Sequence, residues 1–357
     1  MRVHLSMQTE ILIVGQGLCG TWLSYYLQRA GKPFLLMDEY NKSSASRVAS
    51  GIINPITGRR LVKTWMIDEI MPFATSAYEE VGNIIEKNII THCPVIDFFS
   101  APDIQIAFEK RFKEKTPYLS TVSDEDSLRK YFNFDFKAGM IDPCYWVDIN
   151  TLLEHWRNQL KENNILIEEK FNEGELIITK DGIQFRKIHA KEIIYCDGVA
   201  AMQSKFFKHL PFAPNKGEAL ICEIPDLPST NIYKKGMSIV PWRENLFWVG
   251  STHEWKFEHP SPTKIFYDRA VHWLQSFCKL PFKVENHLAA VRPATIERRP
   301  FIGFHPLYPN IGIFNGMGTK GVSLAPYFAK EFADYLISGN NITPEADIKR
   351  FTRILSA

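Results

Sequence analysis

Three glycines, Gly15, Gly17 and Gly20, stand in the spacing G-x-G-x-x-G, and an acid, Asp38, follows 18 residues after the last of them. The first glycine of such a set lets the chain turn sharply, the second lets backbone approach a pyrophosphate, and the third lets a helix pack closely on a strand. A helix starting there offers unsatisfied N–H groups and a partial positive charge to an anion. Asp38 stands where a ribose 2′-hydroxyl needs an acceptor, with Glu39 as second choice, and an acid there disfavours a nucleotide carrying a 2′-phosphate. The chemistry these residues suggest is dinucleotide binding. A plain packing turn is the blander reading of the same glycines.

The flanking sequence supplies the elements such a turn requires. Ile11–Val14 is a short, continuous, β-rich run that reads as a strand buried on both faces. Leu23, Leu27 and Ala30 then share a helical stripe ended by Gly31 and Pro33, and Phe34–Met37 is a second apolar run ending at Asp38. Apolar residues from Trp65 to Ile90 recur at helical spacing, Val95 to Phe108 alternates like strand, and Asp148 to Leu160 reads as a helix capped by Asp148 or Asn150. After Ile165 the pattern becomes strand, turn, strand, with a hairpin at Asp181-Gly182, and Gly236 to Ser251 alternates like an antiparallel sheet. The stretch from Ile311 to Ile337 repeats the theme of strand, glycine-rich turn and helix.

Length and charge narrow the function classes. The 357 residues suggest about two domains. Lys plus Arg 42 against Asp plus Glu 40 leaves a net +2, which gives no electrostatic footprint for nucleic acid or membrane. Six scattered cysteines without a C-x-x-C, and a start lacking the apolar core of a signal peptide, lead to an expectation of thiols in the cytoplasm, with Met7 as an alternative start. The uncharged run from Ile11 to Gln28 holds three glycines and changes period midway, so no membrane span is expected. No metal site, G-x-S-x-G elbow or Walker loop is present as a motif.

Five ordered stretches decide more than the glycines alone. Ala45–Arg60 (ASRVASGIINPITGRR), Tyr195–Ala200 (YCDGVA), Asn215–Glu218 (NKGE), Ala289–Pro306 (AAVRPATIERRPFIGFHP) and Asn315–Pro326 (NGMGTKGVSLAP) strongly resemble the D-amino-acid oxidase and glycine oxidase family of FAD-dependent oxidoreductases. That family also includes sarcosine oxidases and the FAD domain of a tRNA-modifying enzyme. The resemblance runs in order from Ile11 to about Leu336. It implies an α/β fold: a Rossmann-like, glutathione-reductase-like FAD-binding domain made of residues 1–80, 145–212 and 288–357, and a second antiparallel-sheet α+β substrate domain of residues 81–144 and 213–287.

By the same resemblance, Gly15, Gly17, Gly20 and Asp38 match pyrophosphate and ribose positions, and Ser46, Ser50, Gly51 and Ile52 match the loop passing pyrophosphate and flavin. Phe171 falls where the family contacts adenine through backbone, and Gly198 matches a turn glycine. Gly316, Gly318, Thr319, Lys320 and Gly321 match the loop beside the flavin pyrimidine edge, where a helix start or an ammonium stabilises developing negative charge. Arg292 resembles the arginine that grips a substrate carboxylate, a task suited to a planar fork of donors. Lys320 as a solvated surface lysine, and Arg292 as the partner of an acid in an interdomain strand, are the plainer alternatives. Arg59 and Arg60 read equally as anion contacts or surface charge.

The activity implied is oxidation of the C–N bond of a small amino acid or secondary amine by hydride transfer to flavin N5, giving an imine that hydrolyses, with oxygen or an electron carrier as acceptor. Ser238 at a family tyrosine position and Ala200 at a tryptophan position mark an altered pocket, and the absence of cysteine between Arg292 and Phe304 implies non-covalent FAD. Two other readings stand beside this one. One is a tRNA-modifying FAD oxidase acting on a carboxymethylaminomethyl group, and the other is an NAD dehydrogenase using only the nucleotide unit.

Overall fold

The computed structural model describes residues 7–243 and 245–356; part of the amino-terminal segment considered above, residues 1–6, lies outside them. The chain forms two compact units. The first contains Met1–Arg47, Ile149–Asn215 and Val291–Ala357, and the second contains Val48–Asp148 and Lys216–Ala290. The boundary expected after residue 80 falls instead after Arg47, because Ile56 and Leu61 are buried with Cys93, Val95 and Ile141 in the core of the second unit. The other seams lie within a few residues of the expected ones.

The first unit is an α/β layer structure. Leu166–Ile167, Phe34–Met37, Met7–Val14 and Ile188–Tyr195 lie side by side as parallel strands. The far side of Ile188–Tyr195 carries Gly182–Phe185 along its first half, antiparallel, and Tyr308–Asn315 along its second half, parallel. Ile11, Leu12 and Ile13 are fully buried, as a central parallel strand covered on both faces requires. The uncharged run from Ile11 to Gln28 divides into this strand and the Leu18–Arg29 helix. No described helix is long and apolar enough to cross a membrane. The expected hairpin is present, with Thr179 paired to Gly182, and the last long helix is Gly321–Ser338.

The second unit is built on eight strands, ordered Lys283–Arg292, Asn215–Glu223, Leu246–Gly250, Met237–Arg243, Ile232–Lys235, Val95–Phe98, Ala138–Ile141 and Leu119–Thr121. Its middle is antiparallel, apart from the parallel pairing of Ile232–Lys235 with Val95–Phe98. The Ile67–Ile84 helix lies within the expected helical span. The strand reading of Val95–Phe108 holds only to Phe98, since Pro102–Lys113 is a helix. Ile104, Ile106 and Phe108 alternate like a strand, but Pro102 starts the helix and only Phe108 is buried, so the alternation marks no sheet face. Phe108 and Phe112 stack one turn apart at 6.2 Å. Asn150 lies inside the Ile149–Glu162 helix, not at its cap, and its amide donates to Arg47 O at 3.2 Å.

Candidate functional site

The register of the first sheet gathers the motif residues at one edge. Val14 aligns with Met37 on one side and with Tyr195 on the other, and Tyr195 aligns with Ile313. The segments that leave these aligned strand ends carry Gly15, Asp38, Asp197-Gly198 and Asn315-Gly316 respectively. Residues 23 to 301 positions apart in sequence therefore meet at the carboxyl edge of a parallel sheet, where open α/β sheets form ligand crevices.

Each glycine of the turn occupies a place where a side chain would collide. A Cβ on Gly15, which has φ +98°, would lie 2.6 Å from Cys196 O, and one on Gly20 would lie 1.8 Å from Gly15 O. A Cβ on Gly17 would lie 2.9 Å from Ser46 Oγ, and the Leu18 N–H donates to that hydroxyl at 3.0 Å. Ser46 thus stands at the start of the Leu18–Arg29 helix, which has no acid in its first turn. The Gly321–Ser338 helix also lacks an acid in its first turn and begins alongside, since a methyl on Gly321 would lie 3.5 Å from Leu18 Cδ1. Two positive helix ends converge at one place, which suits an extended molecule carrying negative charge.

Asp38, the expected ribose acceptor, is tied into this turn. Its Oδ1 accepts the Gln16 N–H at 2.9 Å, and its Oδ2 accepts from Tyr40 N–H at 2.9 Å and from Arg157 Nη1 at 2.7 Å. Glu39 points elsewhere, half-exposed, with Lys170 at 3.9 Å. Gln16 was only the unspecified residue of the motif in the sequence, yet its amide donates to Thr21 Oγ1 and Leu153 O, both at 3.0 Å. Arg47 and Arg157 lie over the Tyr40 ring at 4.4 and 4.9 Å. Burial lowers the pKa of Arg47, with the neighbouring Arg157 charge acting in the same direction. Arg157 is separated from Asp38 by 119 residues, and no local pattern announces their meeting.

The other strand ends are fixed by polar side chains. Asn315 donates through Nδ2 to Gly198 O at 2.9 Å and accepts the Gly316 N–H at 2.8 Å. Phe171 packs at 4.9 Å from Phe185 and 5.7 Å from Tyr195. Glu173 accepts from Tyr195 Oη at 2.9 Å and from the Lys205 N–H at 2.8 Å, which holds the Phe171 loop against the Gly198 turn. Asp197, to which no spacing pattern assigns a role, has a Cα that would lie 2.9 Å from a Cβ on Gly15. Burial raises its pKa to about 7, with a smaller contribution from Glu173, and raises the adjacent Cys19 thiol to about 12.

Arg292 and the glycine-rich loop also come together. The Gly318 N–H donates to Pro293 O at 3.3 Å, and a Cβ on Gly318 would contact Ala294. Gly316, with φ +81°, leaves room for Thr295, whose methyl would be 2.8 Å from a Cβ there. Thr319 is exposed, and Lys320 stands half-buried as the N-cap of the Gly321–Ser338 helix. Arg292 donates through Nη1 to Asn215 Oδ1 at 2.7 Å, and burial lowers its pKa to about 10, leaving it a cation at neutral pH.

Ser50, Gly51 and Ile52 belong to the second unit. There Gly51, with φ +83°, accepts the Val147 N–H at 2.9 Å, and Ile52 pairs with Trp146. Arg60, in the same unit, accepts through its carbonyl from Arg111 Nε at 3.4 Å. Ser238 pairs with Gly250 in the eight-stranded sheet. Among the described residues no group of three or more His, Cys, Asp or Glu is arranged to hold a metal, and all six cysteines are present as thiols.

Comparison with known proteins accords with this geometry. The family model described as "DAO: FAD dependent oxidoreductase" matches residues 10–335. Glycine oxidase of Bacillus subtilis (strain 168) is 28% identical over 355 residues, covering 92% of this chain and 93% of that protein. Among solved structures, glycine oxidase from Geobacillus kaustophilus superposes with a TM-score of 0.77 at 16% identity, covering 97% of this chain and 98% of that one. Iminodiacetate oxidase from Chelativorans sp. BNC1 gives 0.76 at 17% identity, covering 96% and 98%. The glycine cradle, the paired helix starts and a match that spans nearly the whole chain lead to one conclusion: the chain belongs to the DAO family of FAD-dependent oxidoreductases and is an FAD-dependent enzyme.

Proposed function

We propose that this enzyme oxidises the C–N bond of a small amino acid or secondary amine that bears a carboxylate, and that Arg292 holds the carboxylate. The observation that carries this reading is the seating of Arg292. Its strand is hydrogen-bonded through Pro293 to the Gly316–Gly321 loop, and its guanidinium meets a neutral amide at 2.7 Å. A half-buried guanidinium that stays charged at neutral pH attracts an anion, and a hydrogen bond to a neutral amide adds no opposing charge. Relatives named for glycine and iminodiacetate, both amines with carboxylates, support the same substrate class.

FAD, when bound non-covalently, supplies the acceptor for the two electrons that leave the substrate carbon. The chain's own groups bind and orient. Gly15, Gly17 and Gly20 let the turn close against Cys196, Ser46 and itself, so that the Leu18–Arg29 helix start can face a pyrophosphate, and Asp38 offers oxygens to a ribose. Phe171 and Gly198 line the adjacent strand ends, and Ser50, Gly51 and Ile52 form the loop that continues from Ser46. Gly316, Gly318, Thr319, Lys320 and Gly321 bring backbone donors, a helix start and an ammonium to the end nearest Arg292. Arg292 fixes the carboxylate and with it the direction of the α-C–H bond, which sets the near-attack geometry. The substrate enters as a neutral amine, gives up a hydride from its α-carbon to the bound acceptor and leaves as a protonated imine, which water hydrolyses to a carbonyl compound and ammonium or, from a secondary amine, an alkylammonium.

The test is an anaerobic screen of purified holoenzyme with glycine, sarcosine, iminodiacetate, proline and D- and L-amino acids. Loss of the oxidised flavin absorbance with at least one of them is expected. Reduction only by RNA carrying a carboxymethylaminomethyl group would replace this reading with the tRNA-modifying one. An oxygen electrode then distinguishes oxygen from an electron carrier as acceptor.

A further inference from the structure

We propose that Arg47 holds the diphosphate of the bound nucleotide, as the side-chain cation of the glycine turn. This rests on the reading of Gly15, Gly17 and Gly20 as a pyrophosphate cradle given above. Arg47 is 8% exposed, so its charge is largely removed from water. Among the described residues its guanidinium meets the Gln16 Oε1 oxygen at 3.5 Å and the Tyr40 ring at 4.4 Å, and no carboxylate lies within 4 Å of it. Asp38 and Glu154 attract it from farther away. Both oxygens of Asp38 are already engaged, by the Gln16 and Tyr40 N–H groups and by Arg157. Arg157 has two carboxylate partners, Asp38 at 2.7 Å and Glu168 at 3.0 Å, whereas Arg47 has none at contact distance. A buried cation without a contacting counter-ion is destabilising, and an anion that reaches it relieves the penalty.

The groups around Arg47 belong to the turn. Ser46 precedes it in the chain and accepts the Leu18 N–H at 3.0 Å, at the start of the Leu18–Arg29 helix. Gln16, which accepts from Arg47, stands between Gly15 and Gly17, and its own amide is anchored to Thr21 Oγ1 and Leu153 O, both at 3.0 Å. The residue type suits a phosphate. A planar guanidinium can rest on an aromatic ring and present its N–H edge sideways, and Gln16 takes only one of its five donors. A phosphate group can meet that edge with two parallel hydrogen bonds. Lysine would bring the charge without a plane to lie on Tyr40. The ligand class that follows is a nucleoside diphosphate moiety, and the nucleoside without phosphate is the poor counterpart.

The experiment starts from holoenzyme and measures the concentrations of ADP and of adenosine that displace half of the FAD, read as flavin recovered by ultrafiltration. The ratio of the two is compared in wild type, Arg47→Met, Arg47→Lys and Lys42→Met. In wild type ADP is expected to act at a concentration at least about 100-fold below that of adenosine, and Arg47→Met is expected to shrink this ratio about tenfold or more. Arg47→Lys should retain part of the ratio. Lys42→Met removes an exposed charge of the preceding loop and should leave the ratio within about twofold, which separates contact from general field. If Arg47→Met weakens ADP and adenosine alike, or leaves both unchanged, Arg47 only packs on Tyr40 and the proposal is overturned. Arg47→Gln, neutral but still able to donate to Gln16, carries the same comparison if the methionine variant does not hold FAD. Equal displacement by ADP and adenosine in wild type would instead overturn the pyrophosphate reading of the glycine turn itself.

Discussion

Gly20 admits no side chain, since any Cβ there would fall within 1.8 Å of a backbone oxygen of Gly15. Gly20→Ala should therefore cost more than about 3 kcal/mol and yield little folded protein, as thermal denaturation would record. Gly17→Ala is a milder and more specific change, because the obstacle is the Ser46 hydroxyl at 2.9 Å. That variant should fold, with FAD affinity reduced about tenfold or more, read by fluorescence titration of apoprotein. Asp197 gives a prediction about pH. Its folded pKa is raised to about 7 by burial, above the unfolded value, so its contribution to stability is present in acid and is lost as pH rises through 7. Asn at this position cannot ionise, so Asp197→Asn should gain stability relative to wild type between pH 5 and 8, with the difference read as Tm against pH. A constant difference across that range would contradict the assignment. The glycines and Asp38 were legible in the sequence because spacing alone marks them. Asp197, Arg157 and Asn215 were not, because their roles come from neighbours distant along the chain.

At the scale of elements, the Ile149–Glu162 helix braces the glycine turn. Leu153 O accepts the Gln16 amide, Arg157 pairs with Asp38 and with Glu168, and Trp156 Nε1 donates to Ser24 Oγ at 2.8 Å. Arg157→Ala would remove the partner of a carboxylate that also orders the Gln16 and Tyr40 backbone. A loss of about 1–3 kcal/mol in stability and a several-fold rise in the FAD dissociation constant are expected. Unchanged FAD affinity in that variant would show that the turn is rigid without the helix. The helix itself was readable from its amphipathic period, whereas its bracing function was not. The first half of the Pro102–Lys113 helix, to Phe108, reads as strand in the sequence because its apolar residues alternate over a short span, and with only Phe108 buried there is little core contact to impose a pattern. The Ile11–Val14 strand is legible in outline, since burial on both faces demands a continuous apolar run.

For the whole molecule, the backbone leaves and re-enters the first unit so that its nucleotide segments come from three stretches of chain. Order along the sequence suggested such a division, because a glycine turn near the start and another near the end repeat one theme. The seam after Arg47 was not legible, since the segment that follows is held by buried residues of the second unit rather than by any local break in composition. The net +2 charge predicts weak, salt-sensitive association with transfer RNA at most, which anisotropy measurements across a salt series would check. On the proposed reading, Arg292, set beside the loop of the last long helix, selects amines by their carboxylate. Stopped-flow spectroscopy of anaerobic holoenzyme and of Arg292→Ala, each mixed with the best substrate of the screen and with its decarboxylated amine, tests this most directly. Wild type is expected to be reduced at least about 100-fold more efficiently by the carboxylate compound, and Arg292→Ala is expected to lose this preference while keeping its FAD. An undiminished preference in Arg292→Ala, or equal reduction of wild type by both compounds, would contradict it.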